Sequence, residues 1–474
     1  MSDRAIRSVA ILGGGITGLS AAVAFARALP QVVITVIETA PDPAALADRL
    51  PGSMTSVHRF HASVGLDEAA LLRVGAAIPR LGLRFENWPA GSETWFHVHG
   101  DHGAQTGTIA FHQLWARARR AGQAEAYHRY AAAAVLAETG RFVHPQGDPG
   151  SPLAAFDYAL RLDPDRYREV LASLADQLRV VRTQGSFAGV DRHGDGSAAA
   201  LLLGDGRRIE ADLYLDASGP AAVLAQAIGG EFEDWSSALP CDRLLLGEGP
   251  PSAVSPNDTI VGGAHGWQFA CPLPGRTLLG HVWSSSDPVP DREGRALIFR
   301  PGRRVDPWVR NVLAIGDAAV ALDPLHWPNL HLAQSGIARA LDLLPGRDCH
   351  PVEVAEYNRR SREEAQRMRD FQALHYLRAG ASIEIPDSLA RTLQQFESRG
   401  RLPTYDEDSL PDEIWLSALL GLGVLPREIQ PLAAAVDSVA AATRMAEMRA
   451  GLAQLSARLP GFAEYLARAA ASKN

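Results

Sequence analysis

The chain begins with a glycine-rich turn of the kind that binds phosphate groups through backbone atoms. In the sequence GGGITG, Gly13 permits a tight turn, Gly15 lets the backbone approach a pyrophosphate, and Gly18 lets a helix pack closely on a strand. Ile16 and Thr17 lie next to the N-terminus of that helix, whose unpaired N–H groups and positive dipole end face the same phosphates. We therefore predict that this turn holds the phosphates of a dinucleotide.

Two strands and a helix must position this turn, and the sequence contains candidates for all three. Residues 9–12 and 32–37 form apolar, strand-like runs, and residues 19–29 are compatible with a helix between them. Glu38 closes the second run, twenty residues after Gly18, where a carboxylate can accept hydrogen bonds from an adenosine ribose. This order of strand, turn, helix, strand and acid predicts a bound dinucleotide. The alternative is a Rossmann-like turn that holds no ligand.

A second glycine-centred turn indicates which dinucleotide is bound. Residues 311–315 form a strand-like run that ends at Gly316 and Asp317 and continues into small residues. Asp317 can accept hydrogen bonds from sugar-like hydroxyls, and the helix start beyond it can face a polar ring edge. The alternative is an aspartate that only caps this helix. Two such turns at opposite ends of a sheet suit FAD better than NAD.

Bulk properties exclude several functional classes. The 474 residues carry a formal net charge of -8, which argues against nucleic-acid binding, and no apolar run is long enough to span a bilayer. Cys241, Cys271 and Cys349 are too few and too widely spaced for a disulfide framework or a zinc site. We expect a cytoplasmic protein that binds neither nucleic acid nor a membrane. The one lysine, Lys473, is next to the C-terminal residue, so chemistry that needs an amine in a packed site is not expected.

Two other segments are interpreted as solvent-exposed. His97, His99 and His102 cluster with Asp101, but their spacing matches no established metal site, so a solvated loop without a metal is favoured. Residues 41–52 are rich in Pro, Ala and Asp and are predicted to form a surface connection with a short helix.

The order of the segments predicts an α/β fold in two parts. Residues 1–345 are interpreted as a Rossmann-like FAD-binding domain that is interleaved with a substrate-side β-sheet. Residues 346–474 are rich in Ala and Leu and are predicted to form a helical C-terminal region.

Several stretches of the chain are idiosyncratic enough to carry a family resemblance. They are GGGITG, RFHASVGLDE, RLGLRFENW, DYALRLDPDRY, ADLYLDASG, LPCDR, GWQFACPL, RDFQALHYL and FESRGRLPTYDEDS. Through them the chain resembles the flavin-dependent tryptophan halogenases over nearly its whole length. The resemblance implies an FAD-binding domain of the aromatic-hydroxylase and halogenase type, with helices that cover an indole-type substrate. Because only one complete dinucleotide fingerprint is present, we predict that a separate flavin reductase supplies reduced FAD.

The same resemblance implies a reaction and the residues that carry it. In the family, reduced FAD and oxygen form a C4a-hydroperoxide, a halide attacks it to give hypohalous acid, and a lysine and a glutamate act beside the substrate. The family's lysine matches Arg80 in IPRLGLRF, and its glutamate matches His326 in DPLHWP. Trp327 and Pro328 replace the small hydroxylated residues that help to hold the halide.

These departures suggest different chemistry. Arginine stays protonated and cannot offer a free amine, although Arg80 can donate hydrogen bonds to hypohalous acid or a peroxide, or form a structural ion pair. His326 can act as a general base or be a packed polar residue. The family's WxWxIP element keeps only Trp267 and Pro272, and the Gly-Asp pair of the second turn is similar to that of single-component aromatic hydroxylases.

The leading hypothesis is an FAD-dependent monooxygenase that transfers oxygen from a flavin C4a-hydroperoxide to an indole or other aromatic substrate. A tryptophan side chain within a peptide or protein is one form of that substrate. Two alternatives stay open. One is a halogenase that uses Arg80 and His326 in altered roles, and the other is a flavin-binding partner protein without turnover.

Overall fold

The computed structural model describes residues 5–148, 151–154, 156–290 and 294–471. Its strands are β1 (Ser8–Leu12), β2 (Val33–Glu38), β3 (Ala77–Arg80), β4 (Gly82–Glu86), β5 (Trp95–Val98), β6 (Ala159–Leu162), β7 (Val181–Gln184), β8 (Phe187–Arg192), β9 (Ala198–Leu203), β10 (Arg208–Ile209), β11 (Leu213–Asp216), β12 (Phe232–Asp234), β13 (Arg243–Gly249), β14 (Asn257–Gly262), β15 (Trp267–Leu273), β16 (Arg276–Trp283), β17 (Leu297–Ile298), β18 (Gly302–Arg304), β19 (Trp308–Val309), β20 (Val312–Ala314) and β21 (Val320–Ala321). Its α-helices are α1 (Ile16–Ala28), α2 (Val57–Val64), α3 (Glu68–Arg73), α4 (Phe111–Arg120), α5 (Ala132–Glu138), α6 (Pro164–Gln177), α7 (Val223–Ile228), α8 (Pro328–Asp342), α9 (Pro351–Arg378), α10 (Asp387–Arg399), α11 (Asp412–Gly421), α12 (Pro431–Ala434), α13 (Ser438–Ala457) and α14 (Phe462–Ala471).

The contacts within the chain define two units. The first unit contains the described residues up to Ala77, Leu162–Leu244 and Arg295–Gln366, and the second contains Ile78–Arg161, Leu245–Gly294 and the described residues from Arg367 onward. The division predicted between residues 345 and 346 follows the order of the chain. The contacts instead group the inserted strands with the C-terminal helices, because α11 packs directly on β5 within the second unit.

A six-stranded sheet with the order β19-β20-β11-β1-β2-β7 lies at the centre of the first unit. β1 pairs in parallel with both β11 and β2, and the edge strand β19 pairs antiparallel with β20. β1 and β11 are almost continuously buried, as expected for parallel strands that are covered on both faces. Ligands bind such sheets at the carboxyl ends of the strands, and β1 leads there directly into the glycine-rich turn.

The second unit is built on a mainly antiparallel sheet, in which β13, β16, β15, β14, β4 and β5 lie side by side in that order. Every second residue of β15 is buried, which is the period of a strand with one face on a core. The strand register places Phe269, Ile260, Phe85 and Trp95 in one row across this face. The sheet thus presents an apolar, aromatic surface to the interior of the unit.

Helices account for most of the chain after β21, as the composition predicts. The longest, α9, has 28 residues and carries many charged side chains. Within the described residues, none of the helices has both the length and the apolar character that crossing a membrane requires.

Candidate active site

The turn between β1 and α1 requires glycine at Gly13 and Gly18 of the GGGITG motif. Gly13 has φ +122°, and a Cβ on this residue would lie 2.3 Å from the carbonyl oxygen of Ala217. A Cβ on Gly18 would lie 1.9 Å from the carbonyl oxygen of Gly13. α1 begins at Ile16, directly after Gly15. These contacts hold the strand and the helix close together, so the turn brings backbone N–H groups to the end of the sheet.

A carboxylate lies on the ligand side of this turn. The Thr17 N–H donates to Asp48 Oδ1 at 2.9 Å, and a Cβ on Gly15 would lie 1.7 Å from Asp48 Oδ2. Burial raises the pKa of Asp48, and the hydrogen bond from Thr17 opposes this rise. A carboxyl oxygen is thus bound at the N-terminus of α1, and a phosphate oxygen of FAD requires the same backbone donor. The residues of the turn therefore fit the diphosphate of this cofactor.

The segment that carries Asp48 is not the exposed connection that its composition predicts. Ala45, Leu46 and Ala47 are buried, and the predicted short helix is a 3-10 turn over Leu46–Asp48 that packs on α8. The prediction of surface exposure is wrong because Pro, Ala and Asp are equally compatible with a buried turn. No motif in the sequence marks Asp48.

Glu38, the predicted ribose acceptor, ends β2 and is 9% exposed. Arg182 donates to Glu38 Oε1 from Nε at 2.7 Å and from Nη2 at 2.6 Å, and Gln184 donates to Oε2. Both partners lie on β7, which runs parallel to β2. Each carboxylate oxygen can accept more than one hydrogen bond, so these contacts orient Glu38 and leave it able to accept others.

The second glycine turn lies against the first. The expectation of two turns at opposite ends of a sheet is wrong, because β1 and β20 both run parallel to β11 and end at the same edge. Gly316 has φ +59°, and a Cβ there would lie 2.7 Å from Thr17 Cγ2. Asp317 Oδ2 accepts from the Ala47 N–H at 2.8 Å, and Asp317 Oδ1 accepts from Asn329 Nδ2 at 3.0 Å. Burial raises the pKa of Asp317 to about 7, although both hydrogen bonds oppose the rise. These bonds join separate segments, so Asp317 does more than cap the turn in which it lies.

The loop that precedes α8 is strained and buried. His326 has φ +68° and Trp327 has φ +61°, a backbone region that non-glycine residues seldom adopt. The two residues are buried, and Pro328 begins α8 directly after them. A Cβ on Gly52 would lie 2.0 Å from the Trp327 ring, so the indole packs directly on the backbone of this glycine. Strain of this kind persists only where the surrounding contacts enforce it.

Hydrogen bonds fasten the segment next to Gly52 to α8. Ser56 Oγ and His331 Nδ1 are 2.7 Å apart, and His331 Nε2 lies 3.6 Å from Glu364 Oε1. Arg339 donates to Glu364 Oε2 at 2.5 Å. Burial would raise the pKa of Glu364, but His331 and Arg339 hold it below its usual value. This buried network, which no sequence motif marks, links Ser56 to α8 and α9.

Arg80, one of the predicted site residues, ends β3 in the second unit and is 1% exposed. Its Nε lies 3.5 Å from Asp258 Oδ2, while Arg161 Nε donates to Asp258 Oδ1 at 2.6 Å. Arg161 also donates to the carbonyl oxygens of Ser255 and Pro272. Burial lowers the pKa of Arg80, and the charge of Asp258 opposes this shift. Of the two roles considered for Arg80, the ion pair is therefore present.

The histidines of the β5 region are buried, and the predicted solvated loop is wrong. His97, His99 and His102 are at most 6% exposed, and α11 packs on β5, the strand that contains His97. His97 Nε2 donates to the carbonyl oxygen of Ile414 at 3.1 Å, and burial lowers the pKa of His97 to about 3. His102 stacks on Tyr127 with ring centroids 4.5 Å apart, and burial also lowers its pKa to about 3. Among the described residues, no three His, Cys, Asp or Glu side chains are arranged to hold a metal ion.

The tryptophan that the chain retains from the WxWxIP element belongs to an aromatic layer of the second unit. Trp267 Nε1 donates to the Tyr376 hydroxyl at 2.9 Å, and Trp88 Nε1 donates to the carbonyl oxygen of His375 at 3.1 Å. The rings of Trp88 and Trp267 meet edge to face, with centroids 6.0 Å apart. Burial lowers the pKa of His375 to about 4, so the layer is uncharged near neutral pH. These contacts make the layer part of the packed interior of the second unit.

The predicted site residues are divided between the two units. The first unit contains both glycine turns together with Glu38 and His326, and the second unit contains Arg80. Asp48 contacts Thr17 and Asp258 contacts Arg80, although the motifs alone identified neither carboxylate.

Comparisons with known proteins agree on one family. The family model described as tryptophan halogenase matches residues 8–438. A flavin-dependent halogenase from Brevundimonas sp. BAL3 is 31% identical, with a TM-score of 0.92 over 98% of this chain and 100% of that one. A flavin-dependent halogenase from Xanthomonas campestris is also 31% identical, with a TM-score of 0.91 over 99% of each chain. Tryptophan 7-halogenase KtzQ from Kutzneria sp. (strain 744) is 28% identical over 418 residues, which are 79% of this chain and 77% of that protein.

Proposed function

Because the chain belongs to the tryptophan halogenase family of flavin-dependent enzymes, we propose that it uses reduced FAD and oxygen to hydroxylate an indole or related aromatic ring. The observation that carries the proposal is the buried ion pair of Arg80 at the position of the family's lysine. A guanidinium held by Asp258 stays charged and offers no free amine to accept a halogen. The chain's one lysine, Lys473, lies outside the described residues.

The loop before α8 supports the same proposal. His326 stands where the family has a glutamate, so the carboxylate that assists halogen transfer is missing from this position. Trp327 stands where the family has a small hydroxylated residue, and its indole packs on the backbone of Gly52. A bulky, apolar ring offers a halide neither the space nor the hydroxyl donor of that residue. Loss of the halide contacts favours direct transfer of oxygen to the substrate.

The residues of the first unit supply binding and orientation. Bound FADH2 supplies the electrons with which oxygen is activated, and a separate flavin reductase regenerates it. The Thr17 N–H and the bare Cα of Gly15 would hold the diphosphate, and Glu38 would accept from the ribose. Asp317, between Ala47 and Asn329, would hold sugar-like hydroxyls at the second turn.

Product analysis tests the proposal. The purified protein is supplied with FAD, a flavin reductase, NADH and isotopically labelled oxygen, with and without bromide, and with tryptophan, indole or a tryptophan-containing peptide. We expect one labelled oxygen atom in the product, in amounts that do not depend on bromide. Products that contain bromine and no labelled oxygen would overturn the proposal. If the photoreduced holoprotein consumed no oxygen, a non-catalytic flavin-binding role would replace it.

The second candidate is a halogenase in which Arg80 and His326 act in altered roles. The specific observation in its favour is the identity of 31% with the halogenase from Brevundimonas over 98% of this chain. The bromide arm of the experiment separates the two candidates, because only a halogenase gives a product whose amount rises with bromide.

A further inference from the structure

We propose that Asp48 sets the affinity of the protein for FAD, because its carboxylate competes with the cofactor's diphosphate for the N-terminus of α1. The inference rests on the proposed function only in requiring that FAD binds. It does not depend on whether oxygen or a halogen is transferred, so the two proposals can fail separately.

The first argument is the position of the carboxylate. Asp48 Oδ1 already accepts the hydrogen bond from the Thr17 N–H, which is the donor that the dinucleotide fingerprint presents to phosphate. Asp48 Oδ2 lies where a Cβ of Gly15 would be, and the missing side chain of this glycine is what lets a pyrophosphate approach. One anionic oxygen and a phosphate oxygen cannot both occupy this place.

The second argument is the way in which the segment is held. Ala47, the neighbour of Asp48, donates its N–H to Asp317 on the second glycine turn. The Leu46 side chain between the same elements is 1% exposed. The segment from Leu46 to Asp48 therefore bridges the two turns that the cofactor must contact, and cofactor binding has to displace the carboxylate at its end.

The third argument is charge. Desolvation disfavours the ionised form of Asp48, and its neighbours Arg49 and Arg168 partly compensate. Arg168 is fixed at this place by a hydrogen bond from its Nε to the carbonyl oxygen of Gly14, 3.1 Å away. When the diphosphate replaces Asp48, these two arginines become counter-charges for the cofactor. The positive charges of Arg49 and Arg168 can therefore stabilise either the Asp48 carboxylate or the diphosphate of FAD.

The competition has a thermodynamic consequence. Only the fraction of the protein in which Asp48 has left α1 is competent to bind the diphosphate, so the apparent dissociation constant is the intrinsic constant divided by that fraction. Removing the carboxylate raises the fraction toward one. The gain corresponds to one charge-assisted hydrogen bond, or about a tenfold tighter complex.

The test measures binding of oxidised FAD to the apoprotein by calorimetry, with ADP and riboflavin as partial ligands. We expect Asp48→Ala to bind FAD and ADP about tenfold more tightly than the native protein, with riboflavin affinity unchanged, since riboflavin carries no phosphate. Asp48→Asn keeps an acceptor for the Thr17 N–H but removes the charge. Its FAD affinity should therefore lie between that of the native protein and that of Asp48→Ala. It also carries the test if Asp48→Ala does not fold.

Asp42→Ala is the matched control, because Asp42 stabilises the same segment without reaching the turn. Its Oδ1 accepts from the Ala44 N–H at 2.8 Å, and its Oδ2 accepts from the Ala221 N–H. We expect its FAD affinity to remain native. The proposal is overturned if both Asp48 variants bind FAD no better than the native protein. It is equally overturned if Asp42→Ala gives the same gain, or if riboflavin gains as much as FAD.

Discussion

Arg80 and Asp258 face each other in the interior of the second unit, with Nε 3.5 Å from Oδ2 and almost no exposure of either side chain. Arg161 shares the same carboxylate through Oδ1. One buried negative charge therefore serves two guanidiniums, and neither can leave without exposing an uncompensated charge to an apolar interior. This relationship fixes Arg80 in place, whereas a lysine at this position would carry a deprotonatable amine on a flexible stem.

Asp258→Asn should destabilise the protein strongly. The substitution leaves Arg80 and Arg161 without a buried counter-charge, and removal of one partner from such a network costs about 3–5 kcal/mol. Urea denaturation of the apoprotein measures the loss. Asp205→Asn is the control, because the Arg207–Asp205 pair is exposed to solvent and its loss should leave the midpoint unchanged. A midpoint for Asp258→Asn as high as that of the control would contradict the importance of the buried pair.

Gly52→Ala should destabilise the loop before α8 through a clash with Trp327. A Cβ at residue 52 would lie 2.0 Å from the indole, and overpacking of this kind costs about 1–3 kcal/mol. In a Trp327→Ala background the same substitution should cost almost nothing, so a double-mutant cycle should give a coupling of similar size. Gly451→Ala is the control, because nothing lies near that position on α13 and alanine favours a helix. Additive costs in the cycle would mean that the two residues do not interact.

Asp317→Asn should change how stability depends on pH. The pKa of Asp317 is about 7 in the folded protein, above that of an aspartate in an unfolded chain, so the folded state retains the proton to higher pH. The carboxyl is therefore stabilising at low pH, and stability falls by about 1.4 kcal/mol per pH unit as pH rises from about 4 to 7. The variant should lack this contribution. Urea titrations of the apoprotein at several pH values measure the difference, and parallel curves for the two proteins would refute it.

His97 should show the opposite dependence. Its pKa of about 3 lies below that of an unfolded histidine, so the unfolded chain binds the extra proton and acidification weakens the fold. Stability should fall by about 1.4 kcal/mol per pH unit from about pH 6 to 4, and His97→Gln should lack this contribution. His193, exposed between β8 and β9, provides the control substitution His193→Gln. Nitrogen NMR should also find His97 neutral at pH 5 with its proton on Nε2, and a doubly protonated ring there would contradict the burial argument.

The sequence predicts the local parts of the candidate site better than the distant ones. Gly18 packs on Gly13, five residues earlier, so the spacing of the motif alone indicates its role. Asp48 reaches Thr17 only after the chain folds back, and nothing in its own neighbourhood specifies that contact. The Rossmann unit can be predicted from the sequence because its strand, turn and helix are consecutive in the chain.

Burial is the property that composition predicts least well here. His102 stands between Asp101 and Gly103, a pattern typical of exposed loops. His97 is buried by α11, which lies more than three hundred residues later in the chain. The carbonyl oxygen of Ile414 on that helix accepts the hydrogen bond from His97 Nε2. For Arg80, spacing and resemblance identify the position, but the partner Asp258 comes from a strand that only the sheet register brings near.

The contact between Gly52 and Trp327 restricts the order in which these two residues can be substituted by design. An indole at position 327 requires glycine at position 52, because even one methyl group there would overlap the ring. If Trp327 is first replaced by a smaller residue, the cavity that forms can then accommodate a side chain at position 52. A library that varies position 52 alone would yield mainly variants that clash with the indole, whereas one that varies both positions together also contains compatible pairs.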